Sequence, residues 1–406
     1  MRRRGRIVQA GRVITIADIR HDRRPMAKRR VRPNCQVKAR APRAPATQHE
    51  DDPMTETPDL FGPVKLGALT LPNRIVMAPM TRSRAPGNLP NALMAEYYGQ
   101  RASAGLIVTE GTAPAANGRG YIDIPGIYSD AQVEGWRAVA DAVHAKGGRI
   151  FVQLMHVGRI SLPVFQEGAE PVAPSAVTPA GQMYTPEGMQ PLGQPRALTE
   201  AEIEALIESY AQAARNAVAA GMDGVEIHGA NGYLPNQFLA PNANKRTDKW
   251  GGSAENRARF LIAITDAAAK AIGADRVGVR ISPGNPFNDI DDPDVEATFT
   301  PVVHGLSGKG LAYLHFLDAK PAFDVIGLAR KHFGGPIILN AGYDKARAQA
   351  DIASGRADLI AFGSSYISNP DLVERLHKDA PLNAPDQTTF YGGDAKGYTD
   401  YPKLAA

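Results

Sequence analysis

The sequence predicts a (β/α)₈ barrel with one long excursion after the third strand. Three observations lead there. Short apolar runs alternate with stretches of helical period from residue 54 onward, the pattern of a parallel sheet closed by crossover helices. Polar side chains gather just past the carboxyl ends of those runs, where this class of barrel keeps its active site. Glycines follow the last two runs, the usual phosphate position in the fold.

Eight strands are expected, at 75–78, 106–109, 150–154, 225–228, 277–281, 313–317, 336–339 and 359–362. Helices are expected between and after them at 92–103, 130–145, 200–220, 253–271, 294–306, 323–332, 345–353 and 371–377. One segment breaks the alternation. Residues 157–198 are rich in Pro and Gly and show no clear period. A loop of that length is usually functional or an inserted subdomain, and a small hairpin over the barrel mouth is the expectation. Residues 383–401 form a second irregular stretch, rich in aromatics.

The chain has 406 residues, 43% of them hydrophobic, ample for a large core. Its formal charge of +4 is unevenly placed. Residues 1–53 hold 15 Lys and Arg against 5 Asp and Glu, which leaves 31 basic and 37 acidic residues in the body. A mildly acidic body fits a soluble, cytoplasmic enzyme and not a nucleic-acid binder. The single cysteine, Cys35, leaves the body without a disulfide or a thiolate metal site, and no metal is expected. No run of 18 apolar residues predicts a membrane span.

The basic segment 1–53 is expected to be a disordered tail. No apolar core follows its start, which argues against a secretory signal. It contains no serine, which argues against an organellar transit peptide. An arm for nucleic acid is one reading of its arginines. The other is that Met54-Thr55-Glu56-Thr57-Pro58-Asp59-Leu60-Phe61 is the natural beginning, with the tail attached by a mis-assigned start. The expected domain is then 54–406.

The strand ends supply the candidate site. They read Pro79-Met80-Thr81-Arg82, Glu110-Gly111, Gln153 to His156, His228 with Asn231, Arg280, Asn340-Ala341-Gly342 and Gly363-Ser364-Ser365. Bare backbone N–H groups at Gly342 and Gly363 can cradle a phosphate. A ligand with a phosphate at one end and a hydrogen-bonding ring at the other suits this layout. FMN is such a ligand, and other phosphorylated ligands fit as well. No strand end offers a lysine, which weighs against a Schiff-base aldolase.

The densest motif is Gly224-Val225-Glu226-Ile227-His228-Gly229-Ala230-Asn231-Gly232-Tyr233. An apolar strand breaks into a Gly-rich bend that delivers an imidazole, a carboxamide and a phenol together. The first two can grip one oxygen, and the third can supply a proton. Downstream come Asn242-Ala243-Asn244-Lys245-Arg246-Thr247-Asp248, Trp250-Gly251-Gly252-Ser253 and Glu255-Asn256-Arg257-Ala258-Arg259. This run resembles the Old Yellow Enzyme family of FMN-dependent ene-reductases. The resemblance extends from about Asp59 to Pro402.

The resemblance implies noncovalent FMN and a role for each strand end. Pro79, Met80 and Thr81 would contact the flavin pyrimidine edge and N5, with the Thr81 hydroxyl on the C4 oxygen. Gly111 would let the chain approach the ring, and Gln153 would meet its O2/N3 edge. Arg280 would face N1 and O2 and stabilise the anionic reduced flavin. Gly342, Gly363 and Ser364 would hold the phosphate. The family usually has arginine at 364, so Ser364 is a departure, and Lys345 and Arg347 are candidates to replace the lost charge. Met155 stands where tryptophan is common, and the loop 318–323 looks short. His228 and Asn231 resemble the pair that binds the substrate oxygen, Tyr233 the proton donor, and Phe287 and Tyr391 an aromatic rim over the substrate.

The implied activity is hydride transfer from NADH or NADPH, through the flavin, to activated C=C bonds of α,β-unsaturated carbonyl or nitro compounds. Reduction of nitro-esters or nitroaromatics on the same site is the alternative. A nucleic-acid-associated protein acting through the basic tail is a more distant one. Monomer and homo-oligomer both remain open.

Overall fold

A computed structural model of the chain describes residues 58–405. The basic segment 1–53 and the proposed start at Met54 lie outside the described residues. Eight parallel strands close in sequence order into a barrel: Ile75–Met77, Leu106–Thr112, Ile150–Leu154, Gly224–Gly229, Val277–Ile281, Tyr313–Leu317, Ile337–Asn340 and Leu359–Phe362. In chain order they are the first to eighth barrel strands. They are short and buried on both faces, which is why each reads as an apolar run and not as an alternation. The second strand runs further than expected, because a register shift between Val108 and Gly111 carries it on to Thr112.

The outer helices form where an apolar stripe of helical spacing meets a capping residue. Asp130–His144 begins at Ser129, whose side chain joins Gln132 in a capping box, and it buries Trp136, Val139, Ala140 and Val143. Glu200–Ala219 does the same from Thr199 and Glu202, burying Ile203, Leu206, Tyr210, Ala214 and Ala217. Ala254–Ile272 starts at Ser253. Each stripe packs on the barrel wall to make the main core.

The barrel interior is a second core. Val76, Val108, Phe151, Tyr313, Ile338 and Leu359 fill it, and Leu66 and Leu71 join from a short antiparallel hairpin, Val64–Leu66 with Leu69–Leu71. Gly67 turns that hairpin at φ +53, and a Cβ there would run into the Asp275 backbone oxygen. The excursion after the third strand carries the expected hairpin, Gln182–Thr185 with Gly188–Pro191, tied down by pairing of Val172–Ala173 with Arg196–Ala197. Among the described residues no helix is long and apolar enough to cross a membrane.

Candidate active site

The carboxyl ends of the strands open into one cavity of about 900 Å³. Pro79, Met80 and Thr81 line it after the first strand, Gly111 in the second, Gln153 in the third and Arg280 in the fifth. His228, Asn231 and Tyr233 come from the fourth strand and the bend beyond it. Gly363 and Ser364 follow the eighth strand, and Phe287 and Tyr391 stand at the mouth, 54% and 69% exposed. The excursion hairpin contributes Gln182, Met183 and Tyr184. Of the residues expected to hold cofactor or substrate, Gly342 alone is outside the lining. The seventh strand reaches the cavity through Asn340, whose Nδ2 donates to the Ala361 carbonyl at 2.7 Å.

One wall gathers hydrogen-bonding side chains. His228 is almost fully buried, and its Nδ1 has no protein partner. Burial, then the neighbouring Arg280 and His315, hold the imidazole well below its ordinary 6.5. It is therefore neutral at neutral pH, with one ring nitrogen a donor and the other an acceptor. Asn231 sits at φ +58, a left-handed conformation that asparagine tolerates. Three contacts fix it there: its N–H donates to Ser282 Oγ at 2.8 Å, and its carbonyl accepts from Asn288 Nδ2 at 2.8 Å. Its Oδ1 accepts from Asn285 Nδ2 at 3.0 Å. With that oxygen engaged, the amide nitrogen is the group left for a ligand.

Tyr233 precedes the short helix Leu234–Leu239, and its ring centre lies 5.1 Å from that of His228. Its hydroxyl is 2.9 Å from the hydroxyl of Tyr121, which also lines the cavity. Sequence reasoning missed Tyr121. A signal was present: Gly120-Tyr121 beyond the second strand repeats Gly232-Tyr233 beyond the fourth.

Beside this wall the cavity is ionic. Gln153 Nε2 donates to Glu226 Oε1 at 2.8 Å, and Arg280 Nη2 donates to Asn340 Oδ1 at 3.0 Å. Arg280 Nε is buried without a partner. His156, also at a strand end, is not part of the lining. Burial drives it down to about 3, and its Nδ1 accepts from the Gly158 N–H at 3.1 Å. At Gly111 a Cβ would run into the Met155 sulfur, so Met155 packing is a second reason for glycine there.

Residues 59–383 match the model of the NADH:flavin oxidoreductase / NADH oxidase family. The chain is 43% identical over 361 residues to 12-oxophytodienoate reductase 1 of Oryza sativa subsp. japonica, covering 85% of this chain and 93% of that one. It is 44% identical over 353 residues to a probable flavin mononucleotide-dependent alkene reductase of Leishmania infantum, covering 84% and 97%. Among solved structures it matches morphinone reductase in complex with tetrahydroNAD, at 49% identity and TM-score 0.83 over 86% of this chain and 98% of that one. The chain belongs to the Old Yellow Enzyme family. It is an FMN-dependent oxidoreductase of the alkene-reductase type, with a nicotinamide dinucleotide as reductant.

The cavity fits the cofactor of an Old Yellow Enzyme. Arg280 offers an unpartnered buried N–H at the end where a flavin ring needs a cation. Gly363 borders open space, since a Cβ there would meet only the Met80 sulfur, at 3.8 Å. The two proposed substitutes for the phosphate arginine are engaged elsewhere. Lys345 pairs with Asp379 at 2.7 Å, and Arg347 with Asp318 at 3.5 Å and the Ala341 carbonyl at 2.8 Å. Neither lines the cavity.

Two buried arginines just past Thr81 position the rim. Arg82 donates to the carbonyls of Phe390 at 2.8 Å and Gly397 at 2.8 Å. Arg84 donates to those of Asp394 at 2.9 Å and Thr389 at 3.0 Å. Together they strap the irregular C-terminal stretch, and Tyr391 with it, against the barrel mouth. The sequence marks Arg82 only as part of a strand end, because the carbonyls it holds lie about three hundred residues away in the chain.

Proposed function

We propose that this Old Yellow Enzyme reduces the activated C=C bond of α,β-unsaturated carbonyl and nitro compounds, with NADH or NADPH as the electron source. When bound, FMN supplies the two-electron chemistry, taking hydride from the nicotinamide and giving it to the β-carbon. His228 and Asn231 donate hydrogen bonds to the carbonyl or nitro oxygen, where negative charge builds in the transition state. Tyr233 holds the proton for the α-carbon. A neutral His228 cannot supply it at neutral pH, and the phenol is the acid beside it. Pro79, Met80, Thr81, Gly111 and Gln153 bind the ring, Arg280 balances its negative charge, and Gly363 and Ser364 take the phosphate. Phe287 and Tyr391 cover the substrate.

The observation that carries this reading is the meeting of His228, Asn231 and Tyr233 on one wall of the cavity. The names of two relatives, 12-oxophytodienoate reductase and morphinone reductase, describe carbonyl-bearing substrates, which agrees with it. The test is anaerobic turnover of 2-cyclohexenone and of a nitroalkene with NADPH, followed by product analysis. Saturated ketone and nitroalkane are expected. Untouched alkenes, with nitrite released from a nitro-ester or hydroxylamine formed from a nitroaromatic offered in parallel, would favour that alternative.

A further inference from the structure

Beneath the ring end of the cavity lies a carboxylate that the reaction does not use. Glu226 is fully buried on the fourth barrel strand, two residues before His228 and on the same face of the strand. Both of its oxygens are engaged. Oε1 accepts from Gln153 Nε2 at 2.8 Å, and Oε2 lies 2.8 Å from His315 Nδ1 on the sixth strand. His315 is also fully buried, and its Nε2 has no partner. Between them the fifth strand carries Gly278 opposite Glu226, where a Cβ would run into the ring of Tyr313. The groups facing Glu226 are therefore Gln153, His315, Arg280 and the Tyr313 phenol.

The charge state follows from this surrounding. Burial alone would raise the Glu226 carboxyl, but the hydrogen bonds from His315 and Gln153 and the charge of Arg280 outweigh it and hold the group below its ordinary range. Burial drives His315 down despite the carboxylate beside it. The pair is an anion accepting from the Nδ1–H of a neutral imidazole. Such an arrangement orients what it touches. A glutamine amide has one donor end and one acceptor end. Since Glu226 takes an N–H of Gln153, the Gln153 carbonyl oxygen is the end presented to the cavity. An imide N–H, as on a flavin pyrimidine, requires that acceptor.

We propose that Glu226 is a positioning residue for the cofactor: it sets which end of the Gln153 amide meets the flavin, and it offsets the charge of Arg280 beneath the ring. The proposal rests on FMN occupying this cavity. Its two parts separate by substitution. Glu226→Gln keeps an acceptor for Gln153 and a donor for His315, whose ring nitrogen accepts after a change of tautomer, and removes only the charge. Glu226→Ala removes the hold on Gln153 as well.

The experiment measures FMN affinity of the apoproteins by flavin fluorescence, and the flavin midpoint potential of the loaded proteins. Wild-type protein that takes no FMN would sink the cofactor reading itself before any variant is compared. Glu226→Ala and Gln153→Met should each weaken FMN about tenfold, the scale of one charge-assisted hydrogen bond. The double variant should bind no more weakly than either single one, because both act on one contact. Glu226→Gln should restore FMN affinity and shift the midpoint potential to a more positive value, since Arg280 then faces the reduced ring uncompensated. Additive losses in the double variant overturn the positioning role. If Glu226→Ala fails to fold by circular dichroism, Glu226→Gln decides: an unchanged potential overturns the proposal.

Discussion

The hydroxyls of Tyr121 and Tyr233 lie 2.9 Å apart, with the two rings edge to face. Burial raises both phenols, while the Tyr121 hydrogen bond draws Tyr233 back toward its ordinary 10.0. Tyr233 is thus an acid whose conjugate base already has a donor in place. Tyr233→Phe should slow enone reduction by about 10²–10⁴, the range for loss of a general acid. Tyr121→Phe should slow the same step only about three- to tenfold, the worth of one neutral hydrogen bond. Reduction of the flavin by NADPH should be unchanged in both. With a nitroalkene the hydride step can finish without immediate protonation, so nitronate should accumulate in Tyr233→Phe. Stopped-flow measurement of both half-reactions checks this. Equal slowing of enone and nitroalkene in Tyr233→Phe would show that Tyr233 is not the proton donor.

His228→Ala and Asn231→Ala remove donors aimed at developing charge. Each should cost about 10²–10³ in rate, for enones and nitroalkenes alike. Binding of a phenol, a mimic of the polarised oxygen, should weaken in both variants, read by its effect on the flavin spectrum.

The depressed His228 also predicts a pH profile. Its folded pKa lies well below 6.5, so it remains neutral as pH falls through the usual histidine range. Oxidation of the flavin by enone should therefore show no ionisation between about pH 6 and pH 8. A wild-type inflection near 6.5 that vanishes in His228→Asn would contradict this.

Arg280→Leu removes the buried cation of the cavity lining and leaves Glu226 with His315, Gln153 and the Tyr313 phenol beside it. The flavin midpoint potential should fall. Reduction by NADPH should slow about tenfold or more, while oxidised FMN binding changes less, because the lost charge-assisted contact counts most when the ring is anionic. An unchanged potential would exclude this role for Arg280.

Glu110 gives a stability test away from the chemistry. It is buried at the carboxyl end of the second strand, accepting from the Arg82 N–H at 3.2 Å and the Tyr98 hydroxyl at 3.3 Å, and burial lifts it from 4.5 to about 7. A raised folded pKa means that the native state binds the extra proton. Its contribution is complete below the unfolded value and is lost as pH rises through about 7, on the order of 3 kcal/mol in all. Glu110→Gln, which stays neutral, should melt with a smaller fall in Tm between pH 5 and pH 8 than wild type. Parallel melting curves for the two proteins would remove Glu110 from this account.

The order of residues was enough for the barrel. A parallel strand buried on both faces must be a short apolar run, and Val277–Ile281 and Tyr313–Leu317 lie where those runs predict. The proposed catalytic wall was legible for a related reason. His228, Asn231 and Tyr233 sit within six residues of one strand end, so chain connectivity alone brings them together. Local sequence even marked Gly342 and Gly363, although only Gly363 reaches the cavity.

What the sequence by itself determined, then, is the alternation of strand and helix, the end of the barrel that holds the site, and the groups that arrive on a single strand end. Only the tertiary structure decided that Tyr121 completes Tyr233 across 112 residues, that Glu226 meets His315 across 89, and that Arg82 straps residues 389 to 397 over the mouth. It also placed Arg347 on Asp318 and the Ala341 carbonyl, outside the cavity lining. The physical reason is range. A hydrophobic pattern is repeated over many residues and survives small errors of position. A hydrogen bond requires two named atoms within about 3 Å of each other, and closure of the barrel is what brings atoms so distant along the chain to that separation.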